Sequence, residues 1–149
     1  MQSQMWKQSG THPLPAGIYA GPLKNKINSD IFGVAIKGYD TVAYFTEGRA
    51  VKGQSEFSYS WNDAEWHFAS AENRNLFEAD PEQYAPKYGG YWAASLATTG
   101  KVVGVNPEAF KIIDGKLFLN WDKKSGDEFA EKGGKAIKKA DENWAKLSQ

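Results

Sequence analysis

The chain of 149 residues has no cysteine, and this absence excludes disulfides, thiolate-ligated metals, iron–sulfur clusters and a cysteine nucleophile. Its formal net charge is also zero, with 18 basic and 18 acidic side chains. A neutral chain lacks the overall positive charge that favours binding to nucleic acid or anionic membranes, so we expect neither as the main partner. No run approaches the roughly 20 apolar residues that a membrane-spanning helix needs.

The first part of the chain has few periodic apolar positions. Residues 1–29 are rich in Gln, Ser, Gly, Pro and Lys, and we interpret them as an extended or flexible N-terminal arm. A single domain of residues 30–149 is expected to follow. Residues 1–21 lack the basic start and apolar run of a signal peptide. This leaves open whether they are the head of a mature exported chain.

Aromatic residues are plentiful, at 14% of the chain. Residues 57–61 alternate aromatic and polar side chains, which is the pattern of a half-buried strand. A turn at 62–63 and a second alternating segment at 66–68 complete a predicted hairpin. On the returning strand, Glu65 and His67 should face away from the aromatic side.

Helix starts are predicted between and after the strands. Asp40 is a suitable N-cap for one or two helical turns, and Ser70 is one for a longer helix. Asp80, followed by proline, marks a further helix start. The apolar run 32–36 is interpreted as a short strand.

The second half of the chain carries its own hairpin signal. Residues 110–120 hold an Asp-Gly pair between two apolar runs, and 106–108 predict a short turn of helix just before. Ser125 and Glu128 predict a capping box, and an amphipathic stripe interrupted by a Gly-Gly pair follows. The sequence therefore predicts an α+β fold of short antiparallel hairpins with interleaved short helices and a C-terminal amphipathic helix.

A Gly-rich turn gathers three large rings in sequence. Tyr88, Tyr91 and Trp92 surround Gly89 and Gly90, whose presence indicates positive φ angles or a close backbone approach. The rings either close the core or line a cleft or partner surface.

The chain contains only two histidines, His12 and His67. His12 lies in the arm, and His67 is interpreted as a structural or surface imidazole, with a ligand or acid–base role as the alternative. The sequence has no phosphate loop, dinucleotide fingerprint or nucleophile elbow.

Several motifs in order resemble the YHS domain family. They include WHFAS at 66–70 and DPEQY at 80–84. The motifs GYD at 38–40, VAYF at 42–45 and YGGY at 88–91 are similar to a branch of stand-alone bacterial members. The resemblance spans nearly the whole predicted domain.

The resemblance implies a fold, but it does not imply a metal-binding site in this chain. Short YHS modules elsewhere are similar to cysteine-dependent metal-binding domains, and their presumed ligand positions match Asp40, Ala69 and Asn73 here. Because no thiol remains, a thiolate site cannot be transferred. The stand-alone branch often has a cysteine where this chain has Trp92. Export signals in many relatives imply a periplasmic or exported location, with the cytoplasm not excluded.

We therefore expect a non-catalytic binding module for a small molecule, an ion or a partner protein, with no cofactor. The expected site combines aromatic contact area with two directional polar groups: Tyr39, Asp40, Tyr44, His67, Tyr88, Tyr91 and Trp92. One alternative is a zinc or copper protein that uses His67, Asp40 and further oxygen ligands. The others are a small hydrolase or oxidoreductase accessory protein with His67 as general base, and a homo-oligomer joined through the aromatic patch.

Overall fold

A computed structural model describes residues 25–149. Its helices and strands run in the order α1 (Thr41–Thr46), β1 (Gln54–Trp61), β2 (Ala64–Phe68), α2 (Ala71–Ala79), α3 (Pro81–Tyr84), α4 (Ala93–Thr98), β3 (Asn106–Ile113), β4 (Lys116–Asn120), α5 (Lys123–Lys132) and α6 (Gly134–Leu147). The strands form two antiparallel two-stranded sheets, β1–β2 and β3–β4. The predicted α+β fold of short hairpins, short helices and a C-terminal helix is confirmed.

The first hairpin follows the alternation in its sequence. Asn62 and Asp63 form the turn with φ angles of 52° and 62°, the left-handed conformation that matches the twist of a two-residue hairpin. Trp66 is buried, Glu65 is exposed and His67 is half-buried, so the predicted separation of the two faces is confirmed.

Phe77 of α2 joins this hairpin to the helices. Its ring, which is fully buried, lies with centroid distances of 5.0 to 6.2 Å from the rings of Tyr59, Trp61, Trp66 and Phe68. Tilted and edge-to-face contacts at these distances add to the burial of apolar area. The aromatic excess of the sequence is therefore partly explained by one packed cluster.

The strand β3 begins earlier than the sequence predicts. Asn106 pairs with Asn120 across the second sheet, so the predicted helical turn at 106–108 is wrong. The Asn106 side chain accepts a hydrogen bond from the Glu108 amide at 3.0 Å. This local contact is also the one that a helix N-cap makes, and strand pairing with β4 overrides it.

The N-terminus of α5 is capped by a different pair from the predicted one. Asp122 accepts from the Ser125 amide at 2.8 Å, and the Ser125 hydroxyl reaches back to the Asp122 amide. The predicted box of Ser125 with Glu128 is therefore wrong by one turn. Gly133, with φ 56°, separates α5 from α6 as predicted.

The second core lies between β4 and the last three helices. Leu96 of α4, Phe118 of β4, Phe129 of α5 and Ala140 of α6 are all buried there. Across residues 25–149, we find no helix with the length and apolar character needed to cross a membrane.

The segment before α1 is not a strand. Val34 and Ala35 form only single bridges, and Ile31 and Phe32 are 93% and 83% exposed. The Asp30 carboxylate accepts from the amides of Phe32 and Val34 at 2.8 and 3.0 Å, which closes a tight turn instead of an extended run.

Residues 25–29, which the sequence places in the arm, contact the domain. Ile27 is buried in the first core, the cluster that also contains Tyr44, Trp66 and Phe77. The Asn28 amide donates to the Gly89 carbonyl at 2.8 Å. The remainder of the predicted arm, including His12, lies outside the described residues.

Candidate functional site

Asp40 is fully buried, and its carboxylate is the centre of a hydrogen-bond network. One oxygen caps α1 by accepting from the amides of Val42 and Ala43 at 2.9 and 3.1 Å. The other accepts from the Ala69 amide and from Asn73 Nδ2, each at 2.8 Å. Four N–H groups therefore satisfy one carboxylate, and they tie α1 to the β2–α2 junction.

The same network tests whether a metal fits. Asp40, Ala69 and Asn73 are the positions that the resemblance matches to metal-ligating cysteines, and hydrogen bonds connect all three. They do not suit a metal, because the only carboxylate is occupied by four N–H donors and alanine has no ligand atom. Moreover, residues 25–149 contain no group of three or more His, Cys, Asp or Glu that could hold a metal ion.

Folding should therefore not depend on a metal. Small domains that need zinc unfold when a chelator removes it, whereas this chain buries two apolar cores. We expect thermal melts recorded with and without EDTA to coincide. A melting temperature that falls by many degrees in EDTA and recovers with added zinc would contradict this prediction.

Two of the predicted site tyrosines point their hydroxyls at internal partners. Tyr44 donates to the Pro107 carbonyl at 2.6 Å, and Tyr88 donates to the Asp141 carboxylate at 2.9 Å. Burial raises the pKa of Tyr44 above its usual range, and burial together with Asp141 raises the pKa of Tyr88. Both tyrosine hydroxyls therefore stay protonated, and both side chains belong to the buried cores.

Tyr39 and His67 lie near the surface of the first half of the domain. The Tyr39 ring is half-buried, with the Lys52 ammonium 5.2 Å from its centre. His67 Nε2 lies 2.6 Å from a carboxylate oxygen of Glu65, and its side chain is only 14% exposed. Within the described part of the chain, His67 makes no hydrogen bond to Asp40, so the two predicted polar groups do not act as a pair.

Tyr91 and Trp92 follow the Gly-rich turn. Tyr91 packs against the second core, whereas Trp92 packs against the first. The Tyr91 ring packs 6.2 Å from the Trp144 ring, and the Trp92 ring lies 6.2 Å from that of Trp121. Trp92 Nε1 donates to the Ser125 hydroxyl at 3.1 Å. The seven predicted site residues thus do not form one exposed patch, and their joint role stays a prediction.

A cavity of about 520 Å³ lies between α4, α5 and α6. It begins at Trp92, the one member of the predicted site that reaches it. Its walls are largely small or apolar side chains, and its lining residues are Trp92, Ala94, Ser95, Ala97, Thr98, Thr99, Ser125, Glu128, Phe129, Lys132, Lys135, Ala136 and Lys139.

The hydroxyl groups of the walls have partners inside the protein. Ser95 donates to a backbone carbonyl at 2.8 Å, Thr98 to another at 2.8 Å and Ser125 to a third at 3.1 Å. Ser125 also accepts from the Trp92 indole. These hydroxyls already have hydrogen-bond partners. A molecule bound in the cavity therefore needs no polar groups to satisfy them.

The sequence did not identify most of these residues. The sequence pattern indicated no role for the lysines of α6 and predicted no helix at α4. Two signals were available in the sequence. The small residues at 93–95 and 97–98 permit a close approach of helices, and the spacing of Lys135 and Lys139 puts them on one helix face.

Trp92 is half-buried, and this sets its expected contribution to stability. Trp92→Ala should lower the free energy of unfolding by about 1–3 kcal/mol, below the ~3–5 kcal/mol expected of a buried tryptophan. Trp66→Ala is the matched control, because Trp66 is fully buried and its indole also donates one hydrogen bond. Urea denaturation measures both, and equal losses would contradict the placement of Trp92 on a cavity wall.

Comparison with known proteins gives one family. Residues 42–88 match the model of the YHS domain family, and no curated protein and no solved structure matches the chain. The matched segment runs from α1 through the first hairpin and ends at Tyr88, so it includes all four residues that donate to the Asp40 carboxylate, but not Asp40 itself. The cavity lies beyond it, on α4 to α6. Residues 42–88 therefore form a segment that is similar to the YHS domain family.

Proposed function

We propose that the chain is a non-catalytic binding module that takes one small, mostly apolar molecule into the cavity between α4, α5 and α6. The observation that carries this proposal is the cavity itself. Its volume of about 520 Å³ is within the ~300–1,000 Å³ typical of small-molecule sites. Trp92 and Phe129 supply aromatic contact area, and alanines leave room beside them.

The side chains around the cavity support binding more than catalysis. Its serines donate to backbone carbonyls, and none of the described lining residues is a histidine that could act as their base. Glu128 is the one carboxylate among these lining residues, so they include no acid–base pair of carboxylates. A periplasmic or exported location, which the resemblance implies, is part of the same proposal.

Filling the cavity with a large side chain should weaken binding of a small apolar probe. The probe is N-phenyl-1-naphthylamine, a neutral dye that becomes fluorescent in apolar sites. We expect the wild type to bind it and Ala97→Trp, which places an indole in the cavity, to bind it at least about tenfold more weakly. Ala145→Trp is the matched control, because Ala145 is exposed on α6 and outside the lining.

Two further measurements control for repacking and unfolding of the variants. Thr98→Trp makes the same test at an exposed wall position, where an added ring requires little repacking. Circular dichroism melts should show that each variant is folded. Unchanged dye binding in both Ala97→Trp and Thr98→Trp would show that the cavity is not the binding site.

A further inference from the structure

The mouth of the cavity carries positive charge, although the chain as a whole is neutral. Lys132, Lys135 and Lys139 line it together with a single carboxylate, that of Glu128. All four side chains are exposed. Lysine stems can cover apolar surface while the ammonium groups stay in water, so the cavity has an apolar interior and a cationic rim.

The rim lysines differ from other lysines nearby. Lys111 and Lys123 both pair with Asp127, at 2.5 and 2.7 Å. By contrast, Lys132, Lys135 and Lys139 form no ion pair with any residue in the range 25–149. These three ammonium groups therefore have no direct ion-pair partner within residues 25–149, and three of them against the single Glu128 carboxylate leave a net positive charge among the lining residues.

The walls determine where a charged group could lie. A charge in the depth of the cavity would be desolvated beside Phe129 and Ala136, which are buried. The wall hydroxyls of Ser95 and Ser125 already have partners and offer it little compensation. At the mouth, a charge stays partly hydrated and meets the lysines.

From this arrangement, and resting on the proposed function, we infer that the ligand is an amphipathic anion. Its apolar body occupies the cavity, and its carboxylate or other singly charged anionic group lies at the mouth against Lys132, Lys135 and Lys139. Among the described lining residues, a cationic amphiphile has only the Glu128 carboxylate to contact and is repelled by three ammonium groups.

Probes of the same chain length but different charge test whether the cavity prefers an anion. We expect calorimetry to show that decanoate binds about three- to tenfold more tightly than decanol, because exposed ion pairs each contribute little. Decylamine should bind more weakly than decanol. Raising the ionic strength from about 0.05 M to about 0.5 M should remove most of the preference for decanoate, since salt screens exposed charges.

Paired lysine variants test the rim. Lys135→Gln combined with Lys139→Gln should reduce the affinity for decanoate about three- to tenfold and leave decanol unchanged. The control pair is Lys138→Gln with Lys146→Gln, two exposed lysines of α6 outside the lining. It removes the same net charge, so it should have a smaller effect on decanoate.

The outcomes separate the two proposals. Equal binding of decanoate and decanol, or equal effects of the two lysine pairs, would overturn the anion inference while binding of the neutral dye upholds the cavity. Decanoate binding that survives Ala97→Trp would place the anion elsewhere and also overturn it. Failure of every probe, the neutral dye included, would reject the proposed function together with the inference.

Discussion

Asp40→Ala is expected to lower the free energy of unfolding by about 3–5 kcal/mol, or to prevent folding. The change leaves four N–H groups without their acceptor, in a site where Asp40 is fully buried. An unsatisfied buried donor costs ~1–3 kcal/mol, and the lost N-cap of α1 is included in this sum. Urea denaturation followed by circular dichroism measures the effect.

Two variants sharpen this prediction. Asp40→Asn keeps the shape but turns an NH₂ group toward two N–H donors, so it should cost about 2–3 kcal/mol. Asp80→Ala is the matched control, because Asp80 precedes α3 without making a side-chain cap, and it should cost below about 0.5 kcal/mol. If Asp40→Ala were no more destabilising than Asp80→Ala, the network would not hold α1 to the β2–α2 junction.

Gly89→Ala should lower the free energy of unfolding by about 3 kcal/mol or more. A Cβ at this position would lie 1.9 Å from the Lys26 carbonyl oxygen, and the residue has φ +63°. The close contact forces the two backbone segments apart. The positive φ adds a penalty of roughly 1 kcal/mol for an alanine in the left-handed conformation. Separation would also strain the bond from the Asn28 amide to the Gly89 carbonyl.

Other glycines separate the two contributions. Gly48 has φ +70° but no atom within 4 Å of the place that an added Cβ would occupy, and Gly104 has neither a positive φ nor a close neighbour. Gly48→Ala should therefore cost roughly 1 kcal/mol and Gly104→Ala close to none. Should Gly89→Ala cost only as much as Gly48→Ala, the close approach to Lys26 would have no energetic weight.

Features that depend on neighbours along the chain could be predicted from the sequence. The alternation at 57–61 placed the first hairpin, and Asp40 marked the start of α1, because strand period and helix capping are local properties. The Gly89–Gly90 pair correctly indicated positive φ and close approach. The YHS motifs were recognisable for the same reason, since they are short runs of adjacent residues.

Two predictions made from short stretches of sequence were wrong. The Asn106 side chain contacts the amide two residues later, as it would at a helix start, but pairing with Asn120 made the segment a strand. At 32–36, an apolar run predicted a strand, and the Asp30 carboxylate closed a turn instead. At 106–108 the deciding partner, Asn120, lies outside the local pattern. At 32–36 the partner is local, but the apolar pattern does not show that Asp30 closes a turn.

Which of the predicted site residues reach a cavity depended on packing between distant parts of the chain. Tyr88 lies in the second core, Asp40 is buried at the centre of a hydrogen-bond network, and Trp92 lines the cavity. Lys135 gained its place at the rim because α4 packs against α6, some forty residues further along the chain. Amphipathic periodicity shows which helix face is apolar, but it carries no information about the distant helix that faces it, and the cavity exists only between the two.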